Sequence, residues 1–295
     1  EMRKNMKNLI KVTLFTSLFS GSLYAAPVIF AQGGDDTATS IQAVVDDFRN
    51  TLGDLNPPDP VSLTDGRRQI NWDAAPDAVS APNAFAGDFF NFNAFPRARG
   101  IEFTTAGTGF QLSATNASGV GIDFANINPT YEAEFGTFSA ERLFTAIDSN
   151  VVEARFFLPG TDTPATVSGI GVVFTDVDTV GSTQIDFYGL NNQLLTSQSV
   201  PVGTVGSQSL SFLGVYFDAG EQITRVVITS GDANLSATNT EGGGIDLVAM
   251  DDFIFGEPQA IQRAQVSVPT LSQWAMILLL ISLMFVGMYS VKQRF

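Results

Sequence analysis

Thr183–Tyr188, TQIDFY, sets Ile185 and Phe187 on one side of an extended chain and Gln184 and Asp186 on the other. Successive side chains of a strand point to opposite faces, so this period of two describes a strand with one dry and one wet face. The same texture continues on both sides of it. Runs rich in Phe, Val, Ile and Thr recur at Gly100–Thr105 (GIEFTT), Val151–Leu158 (VVEARFFL) and Gly169–Asp176 (GIGVVFTD). Three more are Ser209–Phe217 (SLSFLGVYF), Ile223–Thr229 (ITRVVIT) and Leu247–Gly256 (LVAMDDFIFG), each set off by Gly, Asn, Asp or Pro. About ten such runs with no helix between them predict an all-β fold, an antiparallel jelly-roll-like β-sandwich over residues 58–258. Phe supplies 25 residues against 5 Tyr and 2 Trp, which suits a dry core between two sheets.

Upstream the period changes. Ile41, Val44, Val45, Phe48 and Leu52 fall at three- and four-residue spacing, predicting a short amphipathic helix over 39–53. Thr39 and Gln42 have the spacing of a capping box, and Gly53 supplies a stop. The apolar stripe either packs on the sandwich or receives a partner. NPPDP (Asn56–Pro60) separates the helix from the strands, and residues 259–267 read as a polar linker beyond them.

Charge is divided unevenly. Four basic residues lie at or before Lys11 and two at Lys292 and Arg294; between them nine Arg and no Lys stand against 29 acids, a balance of −20. Such a body repels nucleic acid and anionic lipid and attracts cations, so no nucleic-acid partner is expected. Cys and His are absent. That removes disulfides, thiolate nucleophiles, Cys/His zinc sites and the Ser-His-Asp triad.

Residues 2–31 read as a signal peptide: Arg3, Lys4, Lys7 and Lys11 precede an apolar run from Val12 to Leu23, with small residues for cleavage at Ala25, Ala26 and Ala31. The far end is apolar again. Trp274–Val291 is 18 residues without a charge, about 27 Å as a helix and just enough to span a membrane. Trp274 and Tyr289 bracket it as interfacial aromatics, and Lys292 and Arg294 read as a stop-transfer signal that leaves the body outside the cytoplasm.

The residues before this span, Val268-Pro269-Thr270-Leu271-Ser272-Gln273-Trp274, followed by an apolar helix and basic residues, resemble the IPTL-CTERM sorting signal of Gram-negative bacteria, a sibling of PEP-CTERM. Its pattern is Ile-Pro-Thr-Leu-Ser-x-Trp-Gly. Val268 replaces the Ile and Ala275 the Gly, and the basic cluster is thinner than usual. The resemblance covers residues 268–295. It implies an exported protein anchored in the inner membrane, processed by an exosortase-type transpeptidase, and associated at the surface or in the matrix with exopolysaccharide or another glycan. The body, through GRRQINWDAAPDAVSAPNAFAGDFFN (66–91), PRARGIEFTTAGTGFQ (96–111), FSAERLFTAIDSNVVEARFFLPG (138–160) and VAMDDFIFGE (248–257), resembles a family of secreted bacterial proteins often found with such anchors. That resemblance implies no activity.

Acid pairs are the candidate chemistry. Asp176 and Asp178 lie where a strand runs into a turn, so both could project to one side. Asp251 and Asp252 lie inside the expected last strand, where neighbours face opposite ways, so one of them should point inward and need a partner or a metal. On an acidic body these oxygens suit a structural Ca²⁺; simple solvated or Arg-paired acids are the competing reading. Trp72 in INWD is either core or a platform for a sugar ring. Two functions follow from different classes: a non-catalytic, glycan-binding envelope or matrix protein, or a secreted glycan-active hydrolase using a carboxylate pair.

Overall fold

The structure, a computed structural model, describes residues 26–218, 220, 222–261, 277, 278 and 280–284. The described residues up to Ala260 belong to one compact unit and those from Ile261 to another. In chain order the first unit contains β1 (Val28–Gly33), α1 (Thr39–Leu52), β2 (Arg67–Ile70), β3 (Ile101–Thr104), β4 (Gly109–Leu112), α2 (Tyr131–Glu134), β5 (Phe144–Ile147), β6 (Val151–Phe156) and β7 (Ala165–Thr166). It continues with β8 (Gly169–Thr175), β9 (Gln184–Tyr188), β10 (Leu194–Ser199), β11 (Leu210–Tyr216), β12 (Arg225–Thr229), β13 (Ala249–Gly256) and β14 (Gln259–Ala260).

Two antiparallel sheets carry the fold. The larger has the order β1-β11-β8-β13-β5-β4, with β2 also on β13; the smaller has the order β10-β9-β12-β6-β3. One core lies between them: Val172 and Phe174 of β8, Leu213 and Val215 of β11 and Phe253 and Phe255 of β13 meet Ile185 and Phe187 of β9 and Val226 and Ile228 of β12. The expected all-β sandwich is therefore present, and each quoted run contains a strand.

The sandwich also starts earlier than residue 58. Val28–Gly33, whose first residues fell within the expected leader, pairs residue for residue with β11 from Tyr216 to Ser211. The leader itself lies outside the described residues up to residue 25. At the other end β14 pairs with β7, so the expected polar linker begins as a short strand.

The stripe on α1 packs on the outer face of the larger sheet. Ile41, Val45, Phe48 and Leu52 pack with Val173, Leu210, Phe212 and Ile254. Two facing glycines make room for the rings. Gly171 and Gly214 are cross-strand partners; a Cβ on Gly171 would lie 2.6 Å from Phe212 and 2.8 Å from Phe48, and one on Gly214 would lie 2.9 Å from Phe48. The expected capping box is corrected: Thr39 is already helical, and no side chain caps the helix. The chain is turned into it instead by Asp35, whose carboxylate accepts from Thr37 N and Oγ1 at 2.9 and 2.6 Å. Gln42 reaches along the helix to Asp46. Gly53 stops the helix as expected, at φ 98° with its N–H on Arg49 O.

The Asn56–Pro60 segment is fixed by a buried ion pair. Arg68 and Glu257 meet at 2.6 and 2.9 Å, and the guanidinium also donates to the carbonyls of Pro57, Asp59, Val61 and Ala98. Both residues are almost fully buried, so every one of these bonds replaces water that the pair has lost.

In the second unit Ile277, Leu278 and residues 280–284 are helical and exposed. Among the described residues no helix is long and apolar enough to cross a membrane. The remainder of the expected span 274–291 lies outside the described residues, as do Val268, Pro269, Thr270, Leu271, Ser272, Trp274, Lys292 and Arg294.

Candidate functional site

At the end of β2 the chain turns sharply through Trp72, at φ 63°. Its indole is buried, stacks on Phe144 at 4.4 Å and donates from Nε1 to Asp251 O at 2.7 Å. Trp72 is thus core rather than a sugar platform. Of the residues after it, Ala74, Ala75, Pro76 and Val79 form one wall of a cavity of about 460 Å³. The facing wall is Phe89, Phe90 and Pro96, and the polar lining is Asn71, Arg97 and Arg99.

The loop that carries the arginines is held at its base. Asn91 and Ala98 form an antiparallel bridge. Asn91 Nδ2 donates to Glu102 Oε1 at 2.7 Å and Thr161 O at 2.8 Å, while its Oδ1 accepts from Gly160 N at 3.0 Å. Arg97 donates from Nε to Phe89 O, and its guanidinium lies over Phe89 at 3.9 Å and over Phe92 at 4.4 Å. Arg99 lies over Phe90 at 4.5 Å. Phe92 and Phe95 are respectively 54% and 66% exposed on the same loop.

Arg49, Arg68, Arg142, Arg155 and Arg225 each contact a carboxylate; among the described residues no acid pairs with Arg97 or Arg99. Burial, and then the nearby charge of Arg68, push the Arg99 guanidinium down to about 10. It stays protonated at neutral pH, but in a setting that favours an anion beside it. The lining contains no Asp, Glu, Ser, Thr, Tyr or Lys. Sequence reasoning missed this site by counting its arginines only in the net charge. The signal was FFNFNAFPRARG (89–100), where four Phe and two of nine body Arg crowd into one short stretch.

The expected acid sites lie elsewhere. At Asp251 and Asp252 the alternation breaks: Met250 pairs with Phe174 and Phe253 with Val172, so β13 spends one extra residue against β8. This bulge corrects the expectation that the two carboxylates face opposite sides. Both come within reach of Ser139 Oγ, at 3.2 Å for Asp251 and 2.7 Å for Asp252. Asp251 also accepts from Phe138 N and Ser139 N, and Asp252 meets Arg49 at 3.1 Å. Burial holds both carboxyls above the usual range, helped at Asp251 by the charge of its neighbour and opposed at Asp252 by Ser139 and Arg49. Their partners come from the protein.

Asp176 is different. It directly follows β8 at φ 68°, is fully buried, and among the described residues neither carboxyl oxygen has a hydrogen-bond partner. Burial pushes it up to about 9, and the charges of Asp178, Glu241, Glu134 and Asp246 act the same way. Asp178 is half-buried and shifted in the same direction, first by burial and then by Asp246. Among the described residues no three Asp or Glu side chains stand close enough to hold one metal ion together.

No family model matches the chain. No curated protein matches it either. Among solved structures it is similar to a glycoside hydrolase family 43 arabinoxylan arabinofuranohydrolase from Bacillus subtilis, in complex with cellotetraose, at 10% identity and a TM-score of 0.24. The likeness covers 52% of this chain and 25% of that one, and at this level it carries no argument.

Proposed function

We propose that this chain is an exported envelope or matrix protein whose sandwich binds a ligand without transforming it. The observation that carries this reading is the cavity beneath Arg97 and Arg99: its walls are aromatic and aliphatic, and no acid, hydroxyl or amine lines it. The acid pairs that hydrolysis would need are buried at Asp251 and Asp252, or have Asp176 sealed from solvent, which favours binding over the hydrolase alternative. Glycan, the partner class the sorting signal implies, would meet the exposed rings of Phe92 and Phe95 on the loop that carries Arg97, where a pyranose can stack. A glycan array on the purified protein, with reducing-end release scored in parallel, tests this. Binding without release, lost in Phe92→Ala with Phe95→Ala, is expected; release that depends on a single Asp or Glu would replace the reading with the hydrolase.

Residues 268–295 are proposed as the sorting signal, with 274–291 spanning the inner membrane until an exosortase-type enzyme removes them. In cells with that enzyme, mass spectrometry should find mature protein without Lys292 and Arg294, and Pro269→Ala with Thr270→Ala should keep them. The leader cut is placed before Val28, since a cut after Ala31 would remove most of a strand paired along its length. Structural Ca²⁺ is proposed only for Asp176 and Asp178. A ligand specific to the folded state raises its stability, so an equal melting temperature in millimolar calcium and in chelator removes that proposal.

A further inference from the structure

We propose that the cavity between Trp72 and Arg99 is a binding site for a compact organic acid, with the apolar body of the ligand against the Ala75, Pro76 and Phe90 walls and its carboxylate between Arg97 and Arg99. The inference goes beyond glycan binding on Phe92 and Phe95 and stands on different observations. The first is size and lining. About 460 Å³ lies in the range of small-molecule sites, and only Asn71, Arg97 and Arg99 offer polar groups. A neutral polyhydroxylated ring sunk into such walls would leave most of its hydroxyls without partners, which disfavours it. A cation would meet two guanidinium groups.

The second observation is unspent donors. A guanidinium carries five N–H groups. Arg97 uses its Nε on Phe89 O. Among the described residues the Arg99 guanidinium donates to no protein acceptor; its described contact is the ring of Phe90. Stacking on a ring occupies the face of a guanidinium and leaves its edge for a carboxylate, the planar group that this fork fits. Stacking also restricts both side chains before any ligand arrives, which lowers the entropy lost on binding. The third observation is contrast. In a chain of net charge −15, five other described arginines, Arg49, Arg68, Arg142, Arg155 and Arg225, contact a carboxylate, whereas Arg97 and Arg99 line one cavity without one. The same net charge works against polyanions at long range, which points to a ligand with a single carboxylate.

The test is isothermal titration of the full chain in lipid nanodiscs, with empty nanodiscs as blank. The probes are 3-phenylpropionate, its neutral counterpart 3-phenylpropanol, and glucuronate. Phenylpropionate should bind, the alcohol at least about tenfold more weakly, and glucuronate not at all. Arg99→Gln and Arg97→Gln should each weaken phenylpropionate by about tenfold or more. Ala74→Trp, at an exposed lining position, should abolish binding with the melting temperature kept. Equal binding of acid and alcohol, glucuronate binding as well as phenylpropionate, or no binding to a folded protein would each overturn the proposal. Glucuronate is titrated into the Phe92→Ala, Phe95→Ala variant as well, so that sugar binding on those two rings, which the glycan array reads, is separated from binding in the cavity.

Discussion

In the larger sheet β8 is buried at every position from Gly169 to Thr175, and β13 from Ala249 to Gly256. In the smaller sheet β9 and β12 alternate, with Ile185, Phe187, Val226 and Ile228 buried and the residues between them half-exposed. Both sheets share one core, so the difference comes from what covers the outer face. Helix α1 lies over the larger sheet and forces its outward positions to be apolar, glycine or internally bonded; the outer face of the smaller sheet meets water and tolerates Gln184, Asp186 and Arg225. The comparison predicts that side chains of the same type matter unequally on the two sheets.

Phe48→Ala should have the largest effect. The ring packs edge-on to Phe30 at 5.3 Å and against Phe212 at 5.5 Å, over the platform left by Gly171 and Gly214. With no Cβ beneath it, the site cannot collapse to fill the hole, and a loss of ~4 kcal/mol is expected in urea unfolding. A loss below ~1 kcal/mol would mean that α1 is a detachable cover, and that the double burial of the larger sheet is incidental.

Glu257→Gln should come next, at ~3 kcal/mol. The change keeps the size but leaves Arg68 buried with its charge uncompensated, and it weakens the hold on Asn56 and on Leu63 N. Protease cleavage within 56–63 should accelerate, because those residues are tied down through this pair.

The legibility of the sequence follows the same division. TQIDFY could be read because one of its faces is wet, and water writes the period of two into the residue types. LVAMDDFIFG could be recognised as a strand but not oriented, because both faces are buried and the bulge at Asp251 and Asp252 leaves no local mark. Without the bulge the expected parity would have held. β1 was legible only as the end of a leader, since Val28–Ala31 continues an apolar run and its partner β11 lies far along the chain. The pocket was legible in composition, as Phe and Arg crowded into 89–100, but its shape depends on Asn91 reaching Thr161 and Gly160. Long-range hydrogen bonds of that kind leave no periodic signature.

Asp176→Asn sharpens the comparison at the end of a central strand of the larger sheet. Burial, and next the charge of Asp178, raise Asp176 to about 9 from an ordinary 3.8. Between those values the folded chain holds a proton that the unfolded chain has released, so stability is full below about 4 and falls as pH rises toward about 9. Asparagine removes the titration. In chelator the variant should melt higher than the parent at pH 8 and close to it at pH 4; identical pH profiles for the two would show that Asp176 does not govern this slope.

Glu153→Gln, on the wet face of the smaller sheet, should have the least effect. Glu153 contacts Arg155 on its own strand and Arg225 on β12, the latter at 2.9 Å. Arg155 and Arg225 are themselves cross-strand partners, so the carboxylate stands beside two like charges that would otherwise face each other. In a sealed setting that arrangement would resemble Arg68 and Glu257. Here Arg155 is exposed, and Arg225 has other support from Asn192 Oδ1 and from the ring of Tyr188 at 3.7 Å. Water and rotamer freedom take up most of the change, and the expected loss is below ~1 kcal/mol. In about 1 M salt the screening length falls to roughly 3 Å, and the difference between parent and variant should vanish. A loss as large as that of Glu257→Gln, or one that persists in salt, would show the outer face of the smaller sheet to be as closed as the face beneath α1, most directly by a partner covering it.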